Sequence, residues 1–129
     1  MKMKLFSFLL IATVVFAIAA CKKTDANAAF VGTYNGTYTT VGGGTGPDTI
    51  TITTGSSSDA IILLEKKNGI TFNGTVSSNT ITIPSQTVSI AGGSYPLSGT
   101  GALSGNALTL NLTEVISGTS VNVSFTGSK

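Results

Sequence analysis

The residues of this sequence whose types could do chemistry are one thiol, Cys21, and five carboxylates, Asp25, Asp48, Asp59, Glu65 and Glu114. A cysteine or serine nucleophile needs a base at its side, yet histidine is absent and no Ser-x-x-Lys spacing occurs. A lone cysteine makes no internal disulfide, and neither CxxC nor mixed Cys/His metal spacing is present. Paired carboxylates could share general acid and base roles. Each acid, however, lies at an expected strand end or in the N-terminal tail, so solvated surface charge is the expectation for them. No catalytic residue, metal site or cofactor is assigned, and the chain is not expected to be an enzyme.

One acid breaks a pattern. Leu108, Leu110, Leu112, Glu114 and Ile116 share parity, so a regular strand would aim the Glu114 carboxylate inward, where an unpaired charge is costly. Either Glu114 is a polar contact inside a ligand cavity, facing Tyr34 or Tyr38, or the strand bulges or leaves the core and Glu114 meets water at a rim. Tyr34, Tyr38 and Tyr95 could stack on a sugar or line an apolar cavity, although aromatics at strand spacing are ordinary core residues. The candidate ligand-binding set is therefore Tyr34, Tyr38, Phe72, Glu114 and Phe125. Lys66-Lys67 reads as a solvated hairpin tip.

Strands must position these side chains. Phe30-x-Gly32-x-Tyr34-x-Gly36-x-Tyr38 puts its aromatics on one face, and Ile50-x-Ile52, Ile70-x-Phe72-x-Gly74-x-Val76, Ile81-x-Ile83 and Val121-x-Val123-x-Phe125 alternate likewise. Ala60 to Leu64 is apolar on both faces, as a doubly covered strand would be. Asn68-Gly69 predicts a type I′ hairpin turn. Gly92-Gly93, Gly105-Asn106 and Gly118-Thr119-Ser120 mark further turns, and Asn35-Gly36 reads as a kink inside the first strand. A change of apolar parity between Ile83 and Val88 predicts a bulge at Pro84-Ser85. About eight strands result, near 30–41, 48–54, 60–67, 70–77, 80–91, 95–104, 107–116 and 120–127. Short turns favour an antiparallel up-and-down meander, and eight strands suffice to close a small barrel. An immunoglobulin-like sandwich is the alternative, and pairing of the first strand with the last decides between them.

Ahead of the strands, Met1 to Lys4 is basic and Leu5 to Ala20 is uncharged, ending in small residues just before Cys21. That is the grammar of a signal peptide, and the run is shorter than the roughly 20 apolar residues of a membrane-spanning helix. Ile18-Ala19-Ala20-Cys21 resembles the bacterial lipobox, which implies cleavage before Cys21 and its lipidation. Several acyl chains hold a protein durably to a membrane where one does not. The alternative is a soluble secreted protein with Cys21 near an ordinary cleavage site. The expected organisation is a signal peptide over 1–20, a lipidated tether over 21–29 and a β-barrel domain over 30–129. The tether resembles the start of many Bacteroidota lipoproteins, with Asp25 as its only acid. The expected location is the cell envelope, at the outer membrane, facing either the periplasm or the exterior.

Phe30-Val31-Gly32-Thr33-Tyr34 resembles the opening of a calycin-type (lipocalin-like) barrel, in which a Gly-x-Trp on the first strand closes the base; Tyr34 stands in the Trp position. Val123 to Gly127 is similar to the last strand of small calycin-like lipoprotein domains of Bacteroidota. The resemblance implies an eight-stranded barrel that binds a small hydrophobic or amphipathic ligand, without the arginine such barrels often use. Asp48-Thr49-Ile50 resembles the O-glycosylation acceptor motif of the same phylum, which implies modification of Thr49.

Charge narrows the partners. The net charge of +2 comes from Lys2 and Lys4, since residues 21–129 carry five lysines against five acids. Without arginine or a basic patch, nucleic acid is not an expected partner. The remaining partners are a membrane, reached through lipidated Cys21, and a small apolar ligand. The alternative is a packed, non-catalytic module that contacts envelope proteins or glycans.

Overall fold

Alternation of apolar and polar residues produces eight strands, with inner side chains supplied by every second position. They are β1 (Gly32–Thr40), β2 (Gly44–Thr54), β3 (Ala60–Glu65), β4 (Ile70–Ser77), β5 (Thr80–Ile90), β6 (Gly93–Ser104), β7 (Ala107–Ile116) and β8 (Thr119–Ser128). The computed structural model describes residues 25–129, so the signal stretch, the lipobox and Cys21 lie outside the described residues. Each strand pairs antiparallel with the next, and β8 returns to β1 with Tyr38 opposite Phe125. The barrel is closed and up-and-down, which decides against the sandwich. Closure also removes the free sheet edges that an open meander would expose.

Gly36 is where that closure is tightest. A Cβ there would collide with the backbone carbonyl of Thr126, and Gly36 pairs with Gly127 across the β1–β8 seam. Asn35-Gly36 is therefore no hairpin: β1 runs unbroken through it, and glycine permits the close approach of the two backbones.

Several element ends differ from expectation for local reasons. β2 begins at Gly44 rather than 48, taking in Pro47 opposite Thr37. Its pairing with β3 starts only at Ile50, so Pro47 sits where β2 has one partner and a missing N–H is tolerated. Asn68-Gly69 does mark a hairpin, but the connection is four residues long and only Gly69 has positive φ, at 65°. The two-residue turns with both φ positive, as type I′ demands, are Ala91-Gly92 (49° and 82°) and Ser117-Gly118 (51° and 78°). Gly93, expected in a turn, already pairs with Ile90. Gly105-Asn106 connects Ser104 to Ala107 as expected.

The β5–β6 register shifts between Ile83 and Gln86, which is the bulge expected around Pro84-Ser85. It has a further consequence. Pairing of β4 with β5 covers only Thr75–Thr82, Val76–Ile81 and Ser77–Thr80, leaving the upper halves of both strands apart. The Gln86 side chain spans this gap as a strand would: its Oε1 accepts from Asn73 N (2.8 Å) and its Nε2 donates to Asn73 O (2.8 Å).

The interior is filled at one end by Tyr34, Ile52, Leu63, Ile81, Leu108 and Leu110, all buried. β3 is not covered on both sides as its apolar run implied: Ile61 and Leu63 point in, whereas Leu64 on the outer face is 43% exposed.

Candidate functional site

The two ends of the barrel differ. At the base, residues 26–30 turn beneath the strands, and Phe30 and Asn27 are buried. Asn27, placed in the tether by sequence, is docked: its Nδ2 donates to Ser57 O (3.2 Å) and Ala60 O (2.9 Å). Tyr34 is 0% exposed and its hydroxyl donates to Phe30 O at 2.8 Å. Lys129 Nζ donates to Ala29 O (2.7 Å) and Val31 O (2.9 Å) and lies 5.2 Å from the centroid of the Tyr34 ring. Tyr34 thus seals the base from within and lines no cavity. Among the ligand-binding candidates it is the one the structure sets apart from the others.

At the opposite end a cavity of about 200 Å³ opens between the strands. Tyr38, Phe72, Glu114 and Phe125 line it, so the structure brings together four of the five candidates. Leu97, Leu112, Ile50, Ile70, Val121 and Val123 supply apolar wall. Tyr95 is partly buried against the core rather than on this wall. Thr49 faces away, its Oγ1 donating to Asn35 Oδ1 (3.1 Å) on the outer surface.

Asp48 and Glu65, expected from their strand-end positions to be solvated surface acids, belong instead to the cavity. Both line the cavity, and Glu65 is only 8% exposed. The signal was present, since Asp48-x-Ile50-x-Ile52 and Ile61-x-Leu63-x-Glu65 share inward parity just as Leu112-x-Glu114 does. Glu65 ends β3 and organises the loop after it: Asn68 N donates to Oε1 and Asn68 Nδ2 to Oε2, each at 3.0 Å. Asp48 Oδ1 accepts from Thr49 N (2.7 Å) and Lys67 N (3.2 Å). Lys67, expected at a solvated tip, instead holds its ammonium 3.5 Å from the centroid of the Tyr38 ring, a cation–π contact at the cavity mouth.

Glu114 stays in a regular stretch of β7, opposite Leu97 on β6 and Val121 on β8. Of the two readings of Glu114, the strand bulge does not form, and the carboxyl shares the cavity with Tyr38 but not with Tyr34, its direct cross-strand neighbours being aliphatic. Burial pushes its carboxyl above the ordinary value of 4.5. Glu65 is raised too, first by burial and further by the adjacent Asp48 carboxyl, against the lowering hydrogen bonds from Asn68. Among the described residues no group of three or more His, Cys, Asp or Glu side chains is arranged to hold a metal ion.

No protein-family model and no curated protein matches the sequence. Solved structures do share the fold. A redesigned β barrel superposes with a TM-score of 0.62 at 16% identity, covering 83% of this chain and 96% of its own. The redesigned barrel mFAP1, bound to DFHBI, gives 0.59 at 19% identity over 81% of this chain and 99% of its own. A "putative outer membrane protein" of Bacteroides fragilis gives 0.57 at 18% identity, covering 82% of this chain but 53% of that one. At these identities the similarity is one of architecture.

Proposed function

We propose that this chain is a lipid-anchored envelope protein whose barrel binds a small apolar or amphipathic ligand through the cavity at its open end, without covalent chemistry. The carrying observation is the asymmetry of the barrel: one end is plugged by Phe30, Tyr34 and Lys129, while the other keeps an open cavity walled by aliphatic and aromatic side chains. A cavity of about 200 Å³ is somewhat larger than the roughly 150 Å³ apolar void that accepts benzene. Its occupant is accordingly a single ring or a short aliphatic segment, since packing of the lower half excludes a long acyl chain.

The redesigned barrel mFAP1 carries the small molecule DFHBI, which supports the reading by analogy of fold alone. The signal-like segment and the lipobox tetrad support the anchor and an outer-membrane location. Native mass spectrometry of the full chain purified from its own host tests the ligand. A retained small molecule, lost on replacing Leu112 by Trp to fill the cavity, is the expected result; an empty barrel at native mass with no response to that substitution removes the reading.

A further inference from the structure

The charges of the cavity select among ligands, an inference that rests on the ligand-binding reading above. Asp48, Glu65, Glu114 and Lys67 line the cavity, and the sequence supplies no arginine or histidine to offset the excess of acid. Three of these four groups are already committed within the protein. Glu65 holds both nitrogens of Asn68, Asp48 holds the amides of Thr49 and Lys67, and the Lys67 ammonium is stacked on Tyr38. Glu114 is different: its cross-strand partners Leu97 and Val121 offer no donor, and among the described residues only burial acts on its carboxyl.

Glu114 is half-buried at the cavity, with aliphatic cross-strand neighbours and no protein donor among the described residues, so an ammonium has only water to displace from its carboxylate. The free acceptor stands above an apolar floor that includes Phe72 and Phe125. We propose that the cavity takes a small amine with an apolar or aromatic body, its ammonium bonded to Glu114 and its body packed against Phe72, Phe125 and Leu112. Carboxylate and phosphate ligands would face the acids and, among the described residues, find the lining cation Lys67 already stacked on Tyr38, so they are rejected. A charge-assisted hydrogen bond in a partly dry site favours the amine over a neutral alcohol of equal shape by about tenfold or more.

The test uses the purified full chain in detergent and three probes of matched shape: 2-phenylethylamine, 2-phenylethanol and phenylacetate. Methyl resonances of Leu97, Leu112 and Val121 report binding. The expected result is saturation by the amine at concentrations at least about tenfold below the alcohol, with no shift from phenylacetate. Glu114→Gln should lower the ratio of amine to alcohol affinity by about tenfold; Asp48 and Glu65 remain at the cavity in that variant, so the change in the ratio is the contribution of Glu114. If E114Q folds poorly, Glu114→Leu reads the same contact, and acidifying the wild type should lower the amine's advantage as the cavity carboxyls Glu114, Glu65 and Asp48 gain protons. Alcohol binding as tight as the amine overturns the inference and leaves the ligand reading standing. No response to any probe overturns both.

Discussion

The Lys67 ammonium lies 3.5 Å from the centroid of the Tyr38 ring, joining the β3–β4 loop to β1 across the mouth of the barrel. The contact fixes a cation where two acids, Asp48 and Glu65, also face the cavity. Lys67→Ala should therefore have two effects of opposite value. The fold loses the cation–π contact, about 0.5–1 kcal/mol at a site open to water, visible as a small drop in the melting temperature. Among the described residues Lys67 is the lysine that lines the cavity, so affinity for a cationic probe should rise by roughly 2–5-fold while that of a neutral probe holds. Titration of both probes against the variant checks the second effect separately from the first.

The base depends on Tyr34. Its hydroxyl satisfies the Phe30 carbonyl inside the plug at 2.8 Å, where water does not reach. Tyr34→Phe keeps the ring and orphans that carbonyl, which should cost about 1–2 kcal/mol in urea unfolding. Lys129→Ala removes two bonds from the same turn at an exposed position and should cost less, about 1 kcal/mol or below. Neither change touches the cavity, so probe affinity at the mouth should stay as in the wild type.

Much of this architecture is legible in the sequence because period-two alternation fixes which residues face inward, and short turns leave few ways to connect them. Barrel closure, the Pro84-Ser85 bulge and the gathering of Tyr38, Phe72, Glu114 and Phe125 all follow from parity. Parity alone does not say how far along the barrel axis a residue sits. Tyr34 and Tyr38 share a face yet end up at the plug and at the mouth, because one stands near the start of β1 beside the Phe30 turn and the other near its end, opposite Gly46 and close to the β1–β2 turn. Asp48 and Glu65 were misread for a different reason: an acid near a turn looks solvated unless its parity is weighed as heavily as that of the leucines. Turn types fared worst, since Ala91 and Ser117 adopt positive φ that glycine-seeking rules assign elsewhere.

Where β4 and β5 part, Gln86 is the substitute for the missing ladder. Its amide meets both the N–H and the C=O of Asn73 and also donates to Pro84 O (3.1 Å). These groups are exposed, so water replaces them when the side chain is removed, and Gln86→Ala should cost about 1 kcal/mol rather than the larger penalty of a buried orphan. The distinctive readout is local. Hydrogen exchange at the Asn73 amide should accelerate well beyond the change in global stability, whereas the Val76 amide, bonded to Asp59 O at 2.8 Å, should keep its protection. Equal acceleration at both would show that Gln86 supports the whole barrel and not the seam alone.

The raised carboxyls of Glu65 and Glu114 give the barrel a pH dependence opposite in sign to that of a salt-bridged protein. Both groups hold their proton more tightly folded than unfolded, so the native state binds more protons once the pH passes the unfolded value near 4.5. Their contribution is complete below that value and is lost as pH rises through the folded values. Urea midpoints should accordingly fall as pH rises above about 4.5, where these groups dominate. The two acids separate on mutation. Glu114→Gln removes a half-buried charge that has only apolar cross-strand neighbours, and should stabilise the protein at pH 7 by up to about 1 kcal/mol while flattening the slope. Glu65→Gln also removes a charge, but sets an NH₂ donor against Asn68 Nδ2 where a carboxylate oxygen now accepts at 3.0 Å. The loop loses that bond, so E65Q should lie below E114Q in stability at every pH, and the reverse order would mean that the charge of Glu65 outweighs its work in holding the loop.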